Sequence, residues 1–272
     1  MPVSMRLLLE LLISSQDLYR ITQNENGAVV VDTRSFSEYK KGHLPGAVNV
    51  DLFQLHWFDT TIRGIKDFNR QTRLLLSNIG IKKETNVVFY DDLSGISAAR
   101  GVWLLLYFSH TKVSMLDGGF EKWKSEDYPI ETKSNPLNHS QFQGKLNPNI
   151  LADADEVKKS IYGKGVVIVD ARSKQEYDGS EIRAARKGHI PSAINIDWTR
   201  NIQNGIFKSK DNLLSIYSKI PKDTKIITYC QGGYRAAHAF LTLKMLGFKN
   251  VKMYLGSWAE WGNRLDLQVE DN

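Results

Sequence analysis

One short segment concentrates the residue types that do chemistry: Cys230-Gln231-Gly232-Gly233-Tyr234-Arg235. Cys230 is the only cysteine in 272 residues, so the chain can form no internal disulfide and no multi-thiolate metal cage. It can supply a nucleophile. The two glycines that follow let the backbone curl, so that successive N–H groups point inward at an anion. Arg235 closes the segment with a permanent positive charge. A helix starting here would add partial positive charge from its N-terminus and favour thiolate over thiol. A sulfur nucleophile inside an anion cradle is the chemistry on offer, with Gln231, Gly232, Gly233, Tyr234 and Arg235 as candidate substrate contacts. The competing reading of Cys230 is a small buried hydrophobe without reactivity.

The elements around the segment suit that chemistry. Ile226–Tyr229 is a short β-branched run, and Ala236–Leu246 has helical spacing with Gly247 as its stop. The segment thus follows a strand and opens a helix, and ligands of open α/β sheets bind beyond the carboxyl ends of strands. This arrangement is half of an internal repeat. Val29-Val30-Val31-Asp32-Thr33-Arg34 recurs as Val167-Ile168-Val169-Asp170-Ala171-Arg172. Gly42-His43-Leu44-Pro45-Gly46-Ala47 recurs as Gly188-His189-Ile190-Pro191-Ser192-Ala193, and Val113 to Trp123 as Val251 to Trp261. So long a period means two similar domains.

Each copy alternates strands and helices. Val29–Asp32, Val87–Tyr90 and Val113–Leu116 read as strands of the first copy, with Val166–Asp170, Ile226–Tyr229 and Val251–Leu255 as their counterparts. Ser35-x-x-Glu38 and Ser173-x-x-Glu176 are capping boxes that start helices. The fold class is α/β: two tandem domains, each a parallel sheet flanked by helices. The expected boundaries are 1–134 for the first domain, 135–149 for a linker rich in asparagine, and 150–272 for the domain carrying Cys230.

With these motifs in place, the sequence resembles the two-domain rhodaneses, or thiosulfate sulfurtransferases, with mercaptopyruvate sulfurtransferases as close relatives. Tyr39-x-x-x-His43-Leu44-Pro45-Gly46-Ala47 is similar to that family's N-terminal signature, and Tyr254-Leu255-Gly256-Ser257-Trp258-Ala259-Glu260-Trp261 to its C-terminal one. Leu255 stands where an acidic residue is usual, and Ser192 replaces a turn glycine. The resemblance implies two tandem rhodanese-like domains and a persulfide mechanism. Cys230 would take a sulfane sulfur from thiosulfate or a related small anionic donor and pass it to a thiophilic acceptor: cyanide, a thiol or an acceptor protein. It implies no metal or organic cofactor. It also implies an inactive N-terminal domain. There the loop after Tyr90 reads Asp91-Asp92-Leu93-Ser94-Gly95-Ile96-Ser97, with a carboxylate in place of the thiol and no arginine.

The second copy carries an insertion between Tyr177 and Gly188 that contains Arg183, Arg186 and Lys187. The resemblance places basic substrate contacts in this region, so Arg183 and Arg186 are candidates for the donor's anionic group. Glu176 stands where some relatives carry an arginine. His43 and His189 recur in matching contexts and are expected to hold turns. Trp258 and Trp261, like Phe120 and Trp123, are expected in the core.

The remaining composition narrows the function. Net charge is +6, but the basic residues are spread along the chain without a run of five, which argues for small anions over nucleic acid. The longest apolar run, Val102 to Phe108, is too short to span a bilayer. Met5 to Ile13 imitates a signal peptide but is interrupted by Glu10, and an amphipathic leading helix in a cytoplasmic protein is the expectation. A cysteine phosphatase of similar design would place one more residue between its cysteine and arginine. A sulfur carrier or redox sensor would use the same Cys230 chemistry without turnover. Mercaptopyruvate remains the alternative donor; Gln231 and Arg235 favour thiosulfate.

Overall fold

The computed structural model describes residues 11–23 and 27–271. The first repeat contains β1 (Leu12–Ile13), α1 (Ser15–Thr22), β2 (Val29–Asp32), α2 (Phe36–Lys41), β3 (Val48–Asn49), α3 (Ile62–Asn78), β4 (Val87–Tyr90), α4 (Ile96–Tyr107), β5 (Val113–Leu116) and α5 (Gly119–Ser125). Its five strands lie in the order β1-β5-β4-β2-β3, every pairing parallel. The second repeat contains β6 (Leu151–Ala152), α6 (Ala154–Ser160), β7 (Val166–Asp170), α7 (Lys174–Tyr177), β8 (Ile194–Asn195), the antiparallel pair β9 (Ile202–Gln203) and β10 (Ile206–Phe207), α8 (Lys210–Ile216), β11 (Lys225–Tyr229), α9 (Tyr234–Met245), β12 (Val251–Tyr254) and α10 (Ser257–Trp261). Its parallel sheet runs β6-β12-β11-β7-β8, the same topology as the first. The central strands read as unbroken apolar runs because helices cover both faces of a parallel sheet.

The chain divides into two compact units. One comprises residues up to 55 together with 68–147 and 202–207; the other comprises 56–67, 148–201 and 208 onward. Residues 56–67 therefore come from the first repeat but belong to the second unit. The 135–147 stretch is irregular chain held on the first unit, with Asn135 donating to the Ala47 carbonyl at 3.0 Å and Ser140 N–H to the Ser77 carbonyl at 2.8 Å.

The leading segment differs from expectation. Residues 1–10, which hold most of it, lie outside the described residues. Leu12–Ile13 is not helical: it extends the first sheet as β1, parallel to β5. Among the described residues the first helix starts after Ser14, whose hydroxyl accepts the Asp17 N–H. Among the described residues no helix is long and apolar enough to cross a membrane.

The repeated motifs are the frame of each unit. At the end of β2 the buried Asp32 carboxylate pairs with Arg34 at 2.6 Å, and at the end of β7 Asp170 pairs with Arg172 at 2.7 Å. Each guanidinium also donates to a turn carbonyl, Gly42 at 2.7 Å and Gly188 at 2.8 Å. His43 and His189 stack on Tyr39 and Tyr177, and each Nδ1 donates to that tyrosine's carbonyl at 2.8 Å. Both histidines thus hold turns. Ser192 adopts φ 64°, close to the 74° of Gly46, so the serine occupies a left-handed position that glycine fills in the first copy. Trp123, Trp258 and Trp261 are buried in the cores, as expected.

Candidate active site

The segment with Cys230 leaves the carboxyl end of β11, a central strand, and enters α9. Gly233 caps α9 with φ 89°, a conformation that a side chain would strain. This turn lets its N–H donate back to Cys230 Sγ at 3.1 Å. Cys230 N–H donates to Ser257 Oγ at 3.3 Å, and the Cys230 carbonyl accepts from Trp258 N–H at 2.9 Å. Strand end, helix start and the turn after β12 thus fix the sulfur. Cys230 is only 1% exposed, as an inert cysteine would also be. What distinguishes it is the N–H donor aimed at sulfur and the cation alongside.

That cation is Arg235, in the first turn of α9, where it forms a two-pronged pair with Glu176. Nη2 reaches Oε1 at 2.8 Å, and Nη1 contacts Oε2. Burial opposes the arginine's charge, but the hydrogen bond to Glu176, the nearby Cys230 sulfur and the carboxylate's charge outweigh it and raise the arginine's pKa. Burial likewise opposes the charge on Glu176. The Arg235 hydrogen bond and charge, with the Ser173 N–H, hold the carboxylate below its ordinary pKa. Glu176 is 2% exposed and completes the Ser173 capping box at the start of α7. The first-copy box is only half made: Ser35 accepts the Glu38 N–H, while Glu38 pairs with Lys41.

The insertion joins this cluster through one arginine. Arg183 places Nη1 3.6 Å from Glu176 Oε1, and its carbonyl accepts the Gln231 amide at 2.9 Å. Gln231 therefore tethers the insertion to the loop. Its neighbour Gly232 faces His56, whose Nδ1 would lie 3.3 Å from an added Cβ. The Tyr234 ring is buried and meets the His56 ring at an angle, centroids 5.3 Å apart, and Phe58 stacks on that histidine. Tyr234 thus contributes packing to the wall of the site.

The expectation for Arg186 is corrected. Its guanidinium does not face the cradle. It donates to the carbonyls of Leu267 at 2.7 Å, Trp261 at 2.8 Å, Gly262 at 3.3 Å and Arg264 at 2.5 Å. Five fixed donors suit such a cluster of carbonyls, of which Trp261 and Arg264 also accept backbone N–H bonds, so the guanidinium is committed to the chain after α10. Lys187, also in the insertion, pairs with Asp271 at 2.9 Å. Arg186→Ala should leave the donor KM unchanged and destabilise the fold by about 2–4 kcal/mol, since hydrogen bonds to charged groups are worth roughly 1.5–3 kcal/mol each and the four carbonyls lose a charged donor. Urea unfolding beside steady-state kinetics checks this; a raised KM in an equally stable protein refutes it.

Residues 56–60 were not legible as part of the site. They are anchored where Thr60 N–H donates to Glu260 Oε1 at 3.1 Å and Thr60 Oγ1 to Oε2 at 2.6 Å; Tyr254 also donates to that carboxylate at 2.8 Å. The available signal was the longer stretch between Asp51 and Tyr90 in the first copy, with its aromatic His56-Trp57-Phe58.

The equivalent loop of the first unit carries Asp91 where the second carries Cys230. Its carboxylate accepts N–H bonds from Gly95 at 3.0 Å, Ser97 at 3.1 Å and Ala98 at 3.2 Å. The cradle is filled by the chain's own anion. Burial outweighs these bonds and pushes the Asp91 carboxyl up to about 6. A raised folded-state pKa means that the fold gains stability as pH falls from above about 6 to below the ordinary carboxyl value of about 3.9. Between pH 7 and pH 4 the wild type should therefore gain roughly 1–3 kcal/mol relative to Asp91→Asn, with sulfur transfer unaffected by the substitution. Parallel stability curves in urea titrations across that range would contradict the assignment. No group of His, Cys, Asp or Glu among the described residues could hold a metal ion.

A site of this design defines a class. The chain belongs to the rhodanese-like domain family, whose model matches twice, at residues 14–126 and 153–264. It is 32% identical over 245 residues to a thiosulfate sulfurtransferase of Azotobacter vinelandii, covering 89% of this chain and 90% of that protein. It is 35% identical over 250 residues to a sulfur carrier protein of Thermus thermophilus, covering 85% and 86%. It is 32% identical over 244 residues to a 3-mercaptopyruvate sulfurtransferase of Escherichia coli, covering 88% and 87%.

Proposed function

We propose that the protein is a sulfurtransferase that moves a sulfane sulfur from a small anionic donor, thiosulfate or a relative of it, to a thiophilic acceptor through a Cys230 persulfide. The observation that carries this reading is Cys230 Sγ at the start of α9, with the Gly233 N–H donating to it at 3.1 Å and Arg235 charged beside it. The thiolate attacks the outer sulfur of thiosulfate; a new S–S bond forms, and the old one breaks with its electron pair leaving on sulfite. The persulfide's terminal sulfur is then taken by cyanide, a thiol or an acceptor protein. The N–H donor and the helix start stabilise charge on sulfur as an oxyanion hole does on oxygen.

The relatives named for thiosulfate and for 3-mercaptopyruvate support sulfur transfer. In this reading the first unit has no chemistry of its own, since its cradle is filled by Asp91. The single thiol suits a reducing cytoplasm. A phosphatase is disfavoured because Glu176 occupies the fork with which Arg235 would grip a phosphate. The relative named as a sulfur carrier supports a second reading, stoichiometric delivery to one partner. Intact mass after incubation with thiosulfate should show one added sulfur atom. Continuous thiocyanate formation with excess cyanide supports the enzyme, and a single stoichiometric burst supports the carrier. No added sulfur from any sulfane donor refutes both.

A further inference from the structure

The cationic groups around Cys230 are fewer than the sequence suggests. Of the insertion's cations, Arg186 is committed to four carbonyls and Lys187 to Asp271. Arg183 and Arg235 remain, and both contact the same buried carboxylate, Glu176. Arg172 is already neutralised by Asp170. The formal charge of the Arg183, Arg235 and Glu176 cluster is therefore +1 rather than +2.

Glu176 also removes geometry. Arginine recognises sulfonate-like groups through two parallel N–H bonds, and here that fork is closed on a carboxylate. What Arg235 offers the sulfur is charge and not a bidentate grip. We infer that Glu176 is a specificity-determining residue that tunes the site to donor charge: it narrows the preference of the cradle for dianions such as thiosulfate over monoanionic sulfane donors such as thiosulfonates. This inference rests on the sulfurtransferase reading.

Coulombic repulsion from a buried carboxylate scales with donor charge, so a dianion feels it twice as strongly as a monoanion. Thiosulfate and an alkyl thiosulfonate make the comparison clean. Both deliver the same outer sulfur across an S–S bond, one releasing sulfite and the other a sulfinate, and they differ by one negative charge. Glu176→Gln keeps a side-chain oxygen for the Ser173 N–H and removes the charge. It should raise kcat/KM for thiosulfate relative to the thiosulfonate by about tenfold at low ionic strength, mainly through KM, and the shift should shrink in salt.

The exposed Arg183, 49% accessible, supplies a second variant that does not touch the core. Arg183→Ala should move the ratio the opposite way, by about threefold, because it removes a screened surface charge. A ratio unchanged within twofold in Glu176→Gln, or a thiosulfate loss there, overturns the assignment. Should Glu176→Gln fail to fold, equal losses for both donors in Arg183→Ala overturn it. The two readings fail separately: a wild type that accepts sulfur from neither donor refutes sulfur transfer, while a wild type that uses both with a ratio insensitive to these charges refutes only the role of Glu176.

Discussion

Cys230→Ser should yield a folded protein that transfers no sulfur. The substitution changes one atom at a site fixed by backbone contacts that do not involve sulfur: the Cys230 N–H to Ser257 Oγ, and the Cys230 carbonyl to Trp258 N–H. A serine hydroxyl can accept the Gly233 N–H in place of Sγ, so stability should change by about 1 kcal/mol or less. Chemistry has no such substitute. The chain contains no other thiol, and an alkoxide at neutral pH cannot replace a thiolate as a sulfur nucleophile. Turnover should fall by about 10⁴-fold or more, the scale expected when a covalent nucleophile is removed. Intact mass after thiosulfate should show one added sulfur on the wild type and none on the variant. Residual turnover near wild type, with a native unfolding curve, would sink the persulfide mechanism.

The frame of the site was legible because its signals are local. Strand runs, glycine stops and the Ser173 capping box each depend on a few neighbouring residues, and the repeat displayed them twice. Cys230, Gly233 and Arg235 could be read for the same reason: strand, turn and helix start follow one another in the chain. What escaped depends on contacts between distant residues. Arg186 carries a charge suited to an anion, yet the chain near residue 264 presents carbonyls that bind it first. Glu176 was visible as a helix cap, but its partnership with Arg235 spans 59 positions. Residues 56–60 enter the second unit's site because Glu260, 200 positions away, holds Thr60. Leu12–Ile13, read as the end of a leading helix, is an edge strand, since β5 offers it a parallel partner that no local pattern reveals.

Arg235→Ala should lose both turnover and stability, and the two losses should separate in a double variant. In the wild type the Arg235 side chain is 14% exposed and its carboxylate partner 2%. Removing the arginine leaves Glu176 buried with the Ser173 groups, the more distant Arg183 and the charge of Arg172 for partial compensation. Breaking one side of a buried ion pair typically costs about 3–5 kcal/mol, most of it the stranded charge. Turnover should also fall, by roughly ten- to a hundredfold, because the charge that builds on sulfur during attack loses its nearest cation. The loss should appear in kcat as well as in kcat/KM, which marks an interaction strengthened in the transition state. Arg235→Ala combined with Glu176→Gln removes the stranded carboxylate, so stability should recover by about half while turnover stays low. Arg235→Lys should keep charge but not the fork, giving intermediate values of both. A double variant that regained turnover along with stability would show that Arg235 only supports the fold, and the cation would have no part in sulfur transfer.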